Sequence, residues 1–373
     1  MPTLWDEIRA DFPGLAGKAY LDAAGTSIMP RAVREAVDAF YRQHEEGGGS
    51  HFGKWMLSRE VVRAKVAAFV GGRPEEIAFI PNTSTGINLI ADLLEGDGPV
   101  LSDELEFPTV TLPWIHRGVL VRFVKPKAGV LEAESFTEAA APRAATIVLS
   151  HVQFSNGCRQ DLDAFGRIKG QRHFVVCGSQ SIGAFPVSVR GSGIDALATA
   201  GHKWLGAGYG AGFCFIRKEL IDTRPPRVVG WMSGETPFAF DNRHMRVLPT
   251  NARVETGSPS FGPIFALGAA IDYVTQIGQE EIAERVLALN MYLTSRLQKE
   301  GFEVLSPGGP HRSGQTLVRL PDGKLARKFL QAHGVHVSEK PEGIRLSTHY
   351  YNNEEDIERG VEAMVAYRKQ AKG

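Results

Sequence analysis

The sequence predicts an α/β protein: a mostly parallel sheet buried between helices, followed by a smaller α+β unit. Three observations carry this. From Ile77 onward, short apolar runs alternate with helical stretches, the rhythm of βα units whose strands are buried on both faces. A loop-like segment rich in Ser, Gly and Pro, 247–263, then leads into a long helical stretch. After it come short strands and helices in the order expected of a compact α+β tail.

Taken in order, Val33, Val37, Phe40 and Tyr41 share one helical face after Pro30, and a second amphipathic helix covers roughly 58–69. The apolar runs 77–80, 100–101, 120–124, 146–150, 174–177 and 212–216 read as strands. In such sheets ligands collect beyond the carboxyl ends of the strands. The stretch 264 to about 300 reads as helix, and the tail as strand 315–320, helix 324–333, strands 335–338 and 343–347, and helix 354–368. The domains expected are a large one over 21–262 and a small one over 263–373, with segment 1–20 packing against the small one.

The 373 residues carry 42 basic and 42 acidic side chains and 43% hydrophobic residues. A chain of this size buries a large core without covalent staples. Balanced charge gives no reason to expect a nucleic-acid or membrane partner, and no apolar run approaches a membrane span. The start, Met1-Pro2-Thr3-Leu4-Trp5-Asp6-Glu7, lacks the basic and apolar regions of a secretory signal. Cys158, Cys177 and Cys214 are too few and too scattered for a disulfide framework or a metal knot. The expectation is a cytoplasmic protein without a metal.

The most informative segment is Val175-Val176-Cys177-Gly178-Ser179-Gln180-Ser181, followed by Asp195-Ala196-Leu197-Ala198-Thr199-Ala200-Gly201-His202-Lys203-Trp204. A lysine just after a strand, flanked by Gly and His, either lies at the bottom of a cleft or is a surface residue at a strand end. In a cleft, desolvation makes its amine a better nucleophile toward an aldehyde. The glycines from Gly206 to Gly212 follow the lysine and lead into a strand, the wrong order for a dinucleotide fingerprint. They serve better to turn the backbone closely behind Lys203. Gly47-Gly48-Gly49 reads as either a flap or an interhelix linker.

With Gly178-Ser179-Gln180-Ser181 upstream, Gly201-His202-Lys203 resembles the signature of the class V aminotransferases, the pyridoxal 5'-phosphate (PLP) group that includes cysteine desulfurases, kynureninase and isopenicillin N epimerase-like proteins. Further segments resemble the family in the same order: Tyr20-Leu21-Asp22-Ala23-Ala24-Gly25-Thr26-Ser27, Asn82-Thr83-Ser84-Thr85-Gly86, Glu104-Leu105-Glu106-Phe107-Pro108 with Pro113-Trp114, Arg253-Val254-Glu255-Thr256-Gly257-Ser258-Pro259, and Ile344-Arg345-Leu346-Ser347. Residues 179–184 and the pair Gly230-Trp231 are similar to the isopenicillin N epimerase-like branch. The resemblance implies a fold-type-I transferase with a seven-stranded, mostly parallel sheet domain and a smaller C-terminal α+β domain.

It also implies roles. Lys203 would bond to the cofactor aldehyde and later move protons at the substrate Cα. Thr83 and Ser84, at a helix start suited to phosphate, and His202 would hold the phosphate. Phe107 would stack on the ring, with Pro108 aligning equally well. Gln180 would hydrogen-bond the phenolic oxygen. Ser258 would reach the phosphate of a neighbouring subunit, which implies a homodimer. Ala24 would line the substrate side and Arg345 would clamp a small amino acid's carboxylate. Read without the family, Thr83 and Ser84 begin a helix, Gln180 is a loop amide, Ser258 a turn residue and Arg345 an edge-strand arginine. His349 and Tyr350 either line the site or cap the strand.

Two departures stand out. Residues 336–344, where desulfurases carry a nucleophilic cysteine, contain none, which argues against persulfide-forming chemistry. Cys177 occupies the position of an aspartate that pairs with the ring nitrogen in relatives, and a neutral thiol is a weak partner. Ala200 likewise replaces a phosphate-contacting serine. The expected activity is transamination, racemisation or epimerisation, or β-elimination, including C–S lysis of a cysteine derivative. A non-catalytic protein that keeps the fold as a binding module is the competing reading.

Overall fold

The computed structural model describes residues 3–139 and 144–371. The chain opens with α1 (Leu4–Ala10) and β1 (Ala19–Tyr20), then α2 (Arg31–Gly47) and α3 (Phe52–Val70). The sheet region runs β2 (Ile77–Ile80), α4 (Thr83–Leu94), β3 (Val100–Asp103), α5 (Pro108–His116), β4 (Val121–Val124), α6 (Ala133–Ala139), β5 (Thr146–Ser150), α7 (Leu162–Ile168), β6 (His173–Cys177), β7 (Ala196–Ala200), β8 (Gly212–Ile216) and α8 (Lys218–Thr223). Next come α9 (Phe261–Ile277) and α10 (Gln279–Lys299). The tail holds β9 (Gln315–Arg319), α11 (Gly323–Ala332), β10 (Val335–His336), β11 (Ser338–Lys340), β12 (Gly343–Ser347) and α12 (Glu354–Gln370).

The seven-stranded sheet has the order β2-β8-β7-β6-β5-β3-β4. β8 runs antiparallel to both its neighbours and the other pairings are parallel. Separate apolar cores lie on its two faces, one of them beneath α4 and α5 and built on Ile87, Ile90, Trp114 and Val175. Strands β5, β7 and β8 are buried at every position and β6 at every position after His173, which accounts for their largely apolar character. The carboxyl ends of β3, β5, β6 and β7 therefore open on one rim.

Three details differ from the sequence reading. The helical stretch 264–300 is two helices broken at Gly278, whose φ of 103° is disfavoured for residues with a Cβ. The single strand 335–338 divides: β10 pairs in parallel with β1, whereas β11 pairs antiparallel with β12. Gly47–Gly49 belongs to a tight connection, the end of α2 and the 3-10 turn Gly48–His51 that leads into α3.

The N-terminal segment touches the tail through Ala19 opposite Val335 and through Arg9, which donates to both carboxylate oxygens of Asp356 at 2.7 and 3.0 Å. No described helix is long and apolar enough to cross a membrane, and among the described residues no cluster of three or more His, Cys, Asp or Glu is arranged for a metal.

Candidate active site

Lys203 lies just past β7. Its turn is fixed by Gly201 N–H donating to Ala211 O at 2.6 Å, Ser27 N–H to His202 O at 3.0 Å and Gly206 N–H to Lys203 O at 3.1 Å. Gly206 has φ 66°, and a Cβ there would meet Pro30 at 3.0 Å and the Ile28 carbonyl at 3.2 Å, so the chain turns closely behind the lysine. Burial drives the Lys203 amine down to about 8, against the opposing pull of Cys177 and with help from the positive charge of Arg345. At pH 7 about a tenth of such an amine is neutral, far more than of an ordinary lysine, and the neutral form is what attacks a carbonyl.

α4 supplies an anion cradle beside it. Asn82 caps the helix by accepting from Thr85 N–H at 2.9 Å. The first amides of the helix have no intrahelical acceptor and point outward with the positive end of the dipole. Hydroxyl groups crowd that end: Thr83 Oγ1 pairs with Ser179 Oγ at 2.6 Å, and Ser84 Oγ with Thr109 Oγ1 at 2.6 Å. Gly86 lets α4 sit against β7, since a Cβ would meet that of Ala198 at 2.6 Å. His202 stacks on Tyr209 at 4.6 Å. Burial, then the charge of Lys203, lowers its imidazole to about 4, so it is neutral near pH 7 and keeps a single N–H donor.

Phe107 caps α5 with 44% of its surface exposed, and meets Phe154 edge-on at 4.9 Å. Gln180 is buried and heavily engaged: its Nε2 donates to Ala24 O at 3.0 Å, and its Oε1 accepts from Trp204 Nε1 at 3.1 Å. A carboxamide nitrogen has two hydrogens, so a second N–H remains for another acceptor.

Arg345 projects from β12 and is only 2% exposed. Nη2 donates to Ser338 Oγ at 3.2 Å, and Asp22 Oδ1 lies 3.6 Å from it. Among the described residues its Nε–H has no partner. Asp22 also accepts a hydrogen bond from Ser338. Lys340 rests its ammonium 3.4 Å above the Phe154 ring; burial, then Arg345, lowers it to about 7. Two cations thus stand over one carboxylate, with a buried donor still unused. Such a cluster suits a substrate carboxylate.

These contacts bring most of the sequence-selected residues together. Cys177, Arg345 and Lys203 interact electrostatically. Cys177 leads through Ser179, 3.4 Å away, to Thr83, and Gln180 binds Ala24. Phe154 connects Phe107 to the guanidinium of Arg345. Ser258 stands apart: it is exposed and lines a cleft of about 350 Å³ with Pro81, Thr85 and Gly210. His349 is a packing residue, buried, stacked on Trp204 at 5.7 Å and 3.1 Å from the Trp204 carbonyl. In the motif around Ser258, Glu255 is structural, accepting from Arg63 at 2.5 Å and from Phe79 N–H at 2.9 Å.

Sequence reasoning did not single out Asp22, Ser179, Ser338, Lys340, Phe154 or Gln315, whose Oε1 accepts from Arg345 Nη1 at 3.5 Å, as site residues. The first four lie inside segments that carried other signals. Phe154 and Gln315 had none, because they reach the site only through the packing of distant elements.

The aminotransferase class-V family model matches residues 19–359. The chain is 26% identical to an uncharacterized aminotransferase, YcbU, of Bacillus subtilis (strain 168), over 98% of this chain and 99% of that protein. It is 28% identical to the isopenicillin N epimerase of Amycolatopsis lactamdurans, over 98% and 99% respectively. Among solved structures, the apo cysteine desulfurase of Thermococcus onnurineus NA1 superposes with a TM-score of 0.91 at 25% identity, covering 99% of both chains.

Proposed function

The chain belongs to the class-V aminotransferase family, as a PLP-dependent enzyme of fold type I, and from that premise we propose that it labilises a Cα bond of a small amino acid. When bound, the cofactor draws electron density away from Cα through its pyridine ring. The residues present fit it. The open helix start and hydroxyl cluster at Thr83 and Ser84, with the neutral His202, suit its phosphate. The spare N–H of Gln180 suits the phenolic oxygen, the half-exposed Phe107 suits a ring face, and Lys203 suits the aldehyde.

The observation that carries the proposal is a desolvated Lys203 amine within electrostatic reach of a buried Arg345 with an unused N–H. Arg345 holds the substrate carboxylate while Asp22 and Ser338 fix the guanidinium. Lys203, poised near 8, accepts a proton from Cα and returns it. Ala24, its carbonyl tied to Gln180, borders the substrate. Ser258 of a second copy would complete the phosphate site, so the working unit is a homodimer. We place it in the cytoplasm, where three free cysteines stay reduced.

Transamination, racemisation or epimerisation, and β-elimination all start from this arrangement. C–S lysis of a cysteine derivative belongs to the last. The absence of cysteine from 336–344 sets persulfide-forming desulfuration aside. An amino-acid panel after buffer exchange separates the outcomes: a keto acid with a converted cofactor, an inverted enantiomer, or pyruvate with ammonia and a thiol. A holoprotein whose absorption spectrum responds to no amino acid would refute the enzymatic proposal and favour a binding module.

A further inference from the structure

Cys177 leaves open what balances a protonated ring nitrogen, and a buried acid cluster stands directly behind it. Glu106 accepts from Ser150 N–H at 2.5 Å, Ser150 Oγ–H at 2.6 Å and Gln153 Nε2–H at 2.8 Å. Gln153 also donates to Asp103 Oδ2 at 3.1 Å, and Leu105 N–H donates to Asp103 Oδ1 at 2.9 Å. The two carboxyl groups are in hydrogen-bond contact, and burial followed by their mutual repulsion holds Asp103 protonated well above the usual carboxylate range. Carboxyls this close share a proton, so the pair carries one negative charge. Amide and hydroxyl donors surround that charge; no arginine or lysine is ion-paired with it among the described residues. A buried charge without a counterion is costly.

Ser150 ties the cluster to the site. It stands opposite Cys177 in the pairing of β5 with β6, and burial, then the charge of Glu106, raises that thiol. The thiol S–H donates to Ser179 Oγ at 3.4 Å, and the Ser150 O–H to Glu106 Oε2 at 2.6 Å. The sulfur is left to accept from a cationic N–H in front of it.

We propose that the Glu106–Asp103 pair, held by Ser150 opposite Cys177, supplies the negative charge that keeps the cofactor's pyridine nitrogen protonated. Glu106 is a positioning residue here, since it acts from behind Cys177 and not by touching the cofactor. The inference rests on the PLP reading above. Its test is the ring-nitrogen NMR shift of holoprotein reconstituted with PLP labelled with 15N at that atom. The wild type should give the protonated signal. Glu106→Gln should give the unprotonated one while borohydride still fixes the cofactor on Lys203, and Cys177→Asp in the Glu106→Gln background should restore protonation. If Glu106→Gln does not fold, Ser150→Ala removes the hydroxyl that stabilises the Glu106 carboxylate and should give the same loss. An unprotonated nitrogen in the wild type, or one still protonated in the variant that folds, overturns the proposal. A wild type without a cofactor adduct on Lys203 overturns the PLP reading itself.

Discussion

Lys203 gains its reactivity from where β7 delivers it. Burial costs the ammonium more than Cys177 and Asp22 return, and Arg345 adds to the cost. In the apoprotein, the rate of PLP uptake should rise about tenfold per pH unit below 8 and level off above, because only the neutral amine attacks. Arg345→Gln should move the midpoint upward, since a neighbouring positive charge is removed. Stopped-flow absorbance checks both, and a wild-type midpoint near 10 would mean the lysine is not desolvated. Residues such as Lys203, Gln180 and Arg345 were legible because each sits in a recognisable run. Phe154 and Lys340 were not, because a cation resting on an aromatic ring is a product of tertiary packing with no trace in local sequence.

At the scale of elements, α4 decides whether an anion is gripped. Asn82 fixes where the helix begins, and Gly86 fixes how close it lies to β7. Asn82→Ala should cost about 1 kcal/mol of stability and also weaken PLP binding, because the amides at the helix start lose their alignment. A thermal melt with a cofactor titration measures both; an unchanged cofactor affinity would mean that the helix start does not hold the phosphate. The alternation of apolar runs and helices made the sheet legible, since buried strands need apolar residues on both faces. It did not show that 335–338 serves two sheets. That division depends on β1 arriving from the other end of the chain, a pairing no local pattern encodes. Nor did it show the break at Gly278, because the apolar periodicity continues on either side of one permissive residue.

Across the whole molecule, buried titratable groups couple stability to pH in both directions. Burial holds the imidazoles of His151 and His349 down to about 3. Between about pH 6.5 and 3 the unfolded chain binds protons that the folded chain refuses, so these groups cost stability as pH falls and cost nothing above 6.5. Asp103 and Glu106, raised by burial, act in the opposite sense. The clean observable is therefore a difference. The melting temperature of His349→Phe minus that of the wild type should become more positive from pH 7 to pH 5, and a pH-independent difference would mean that His349 takes up its proton without unfolding. The N-terminal segment is bound to the tail through Arg9 and Asp356 and through the pairing of β1 with β10.

The most direct test is covalent. Reduction of the PLP-loaded protein with borohydride, followed by peptide mass spectrometry, should place a single pyridoxyl group on Lys203, and Lys203→Ala should carry none. A label on Lys340 or another lysine, or no label on a protein saturated with PLP, would contradict the assignment of Lys203 as the residue around which the site is built.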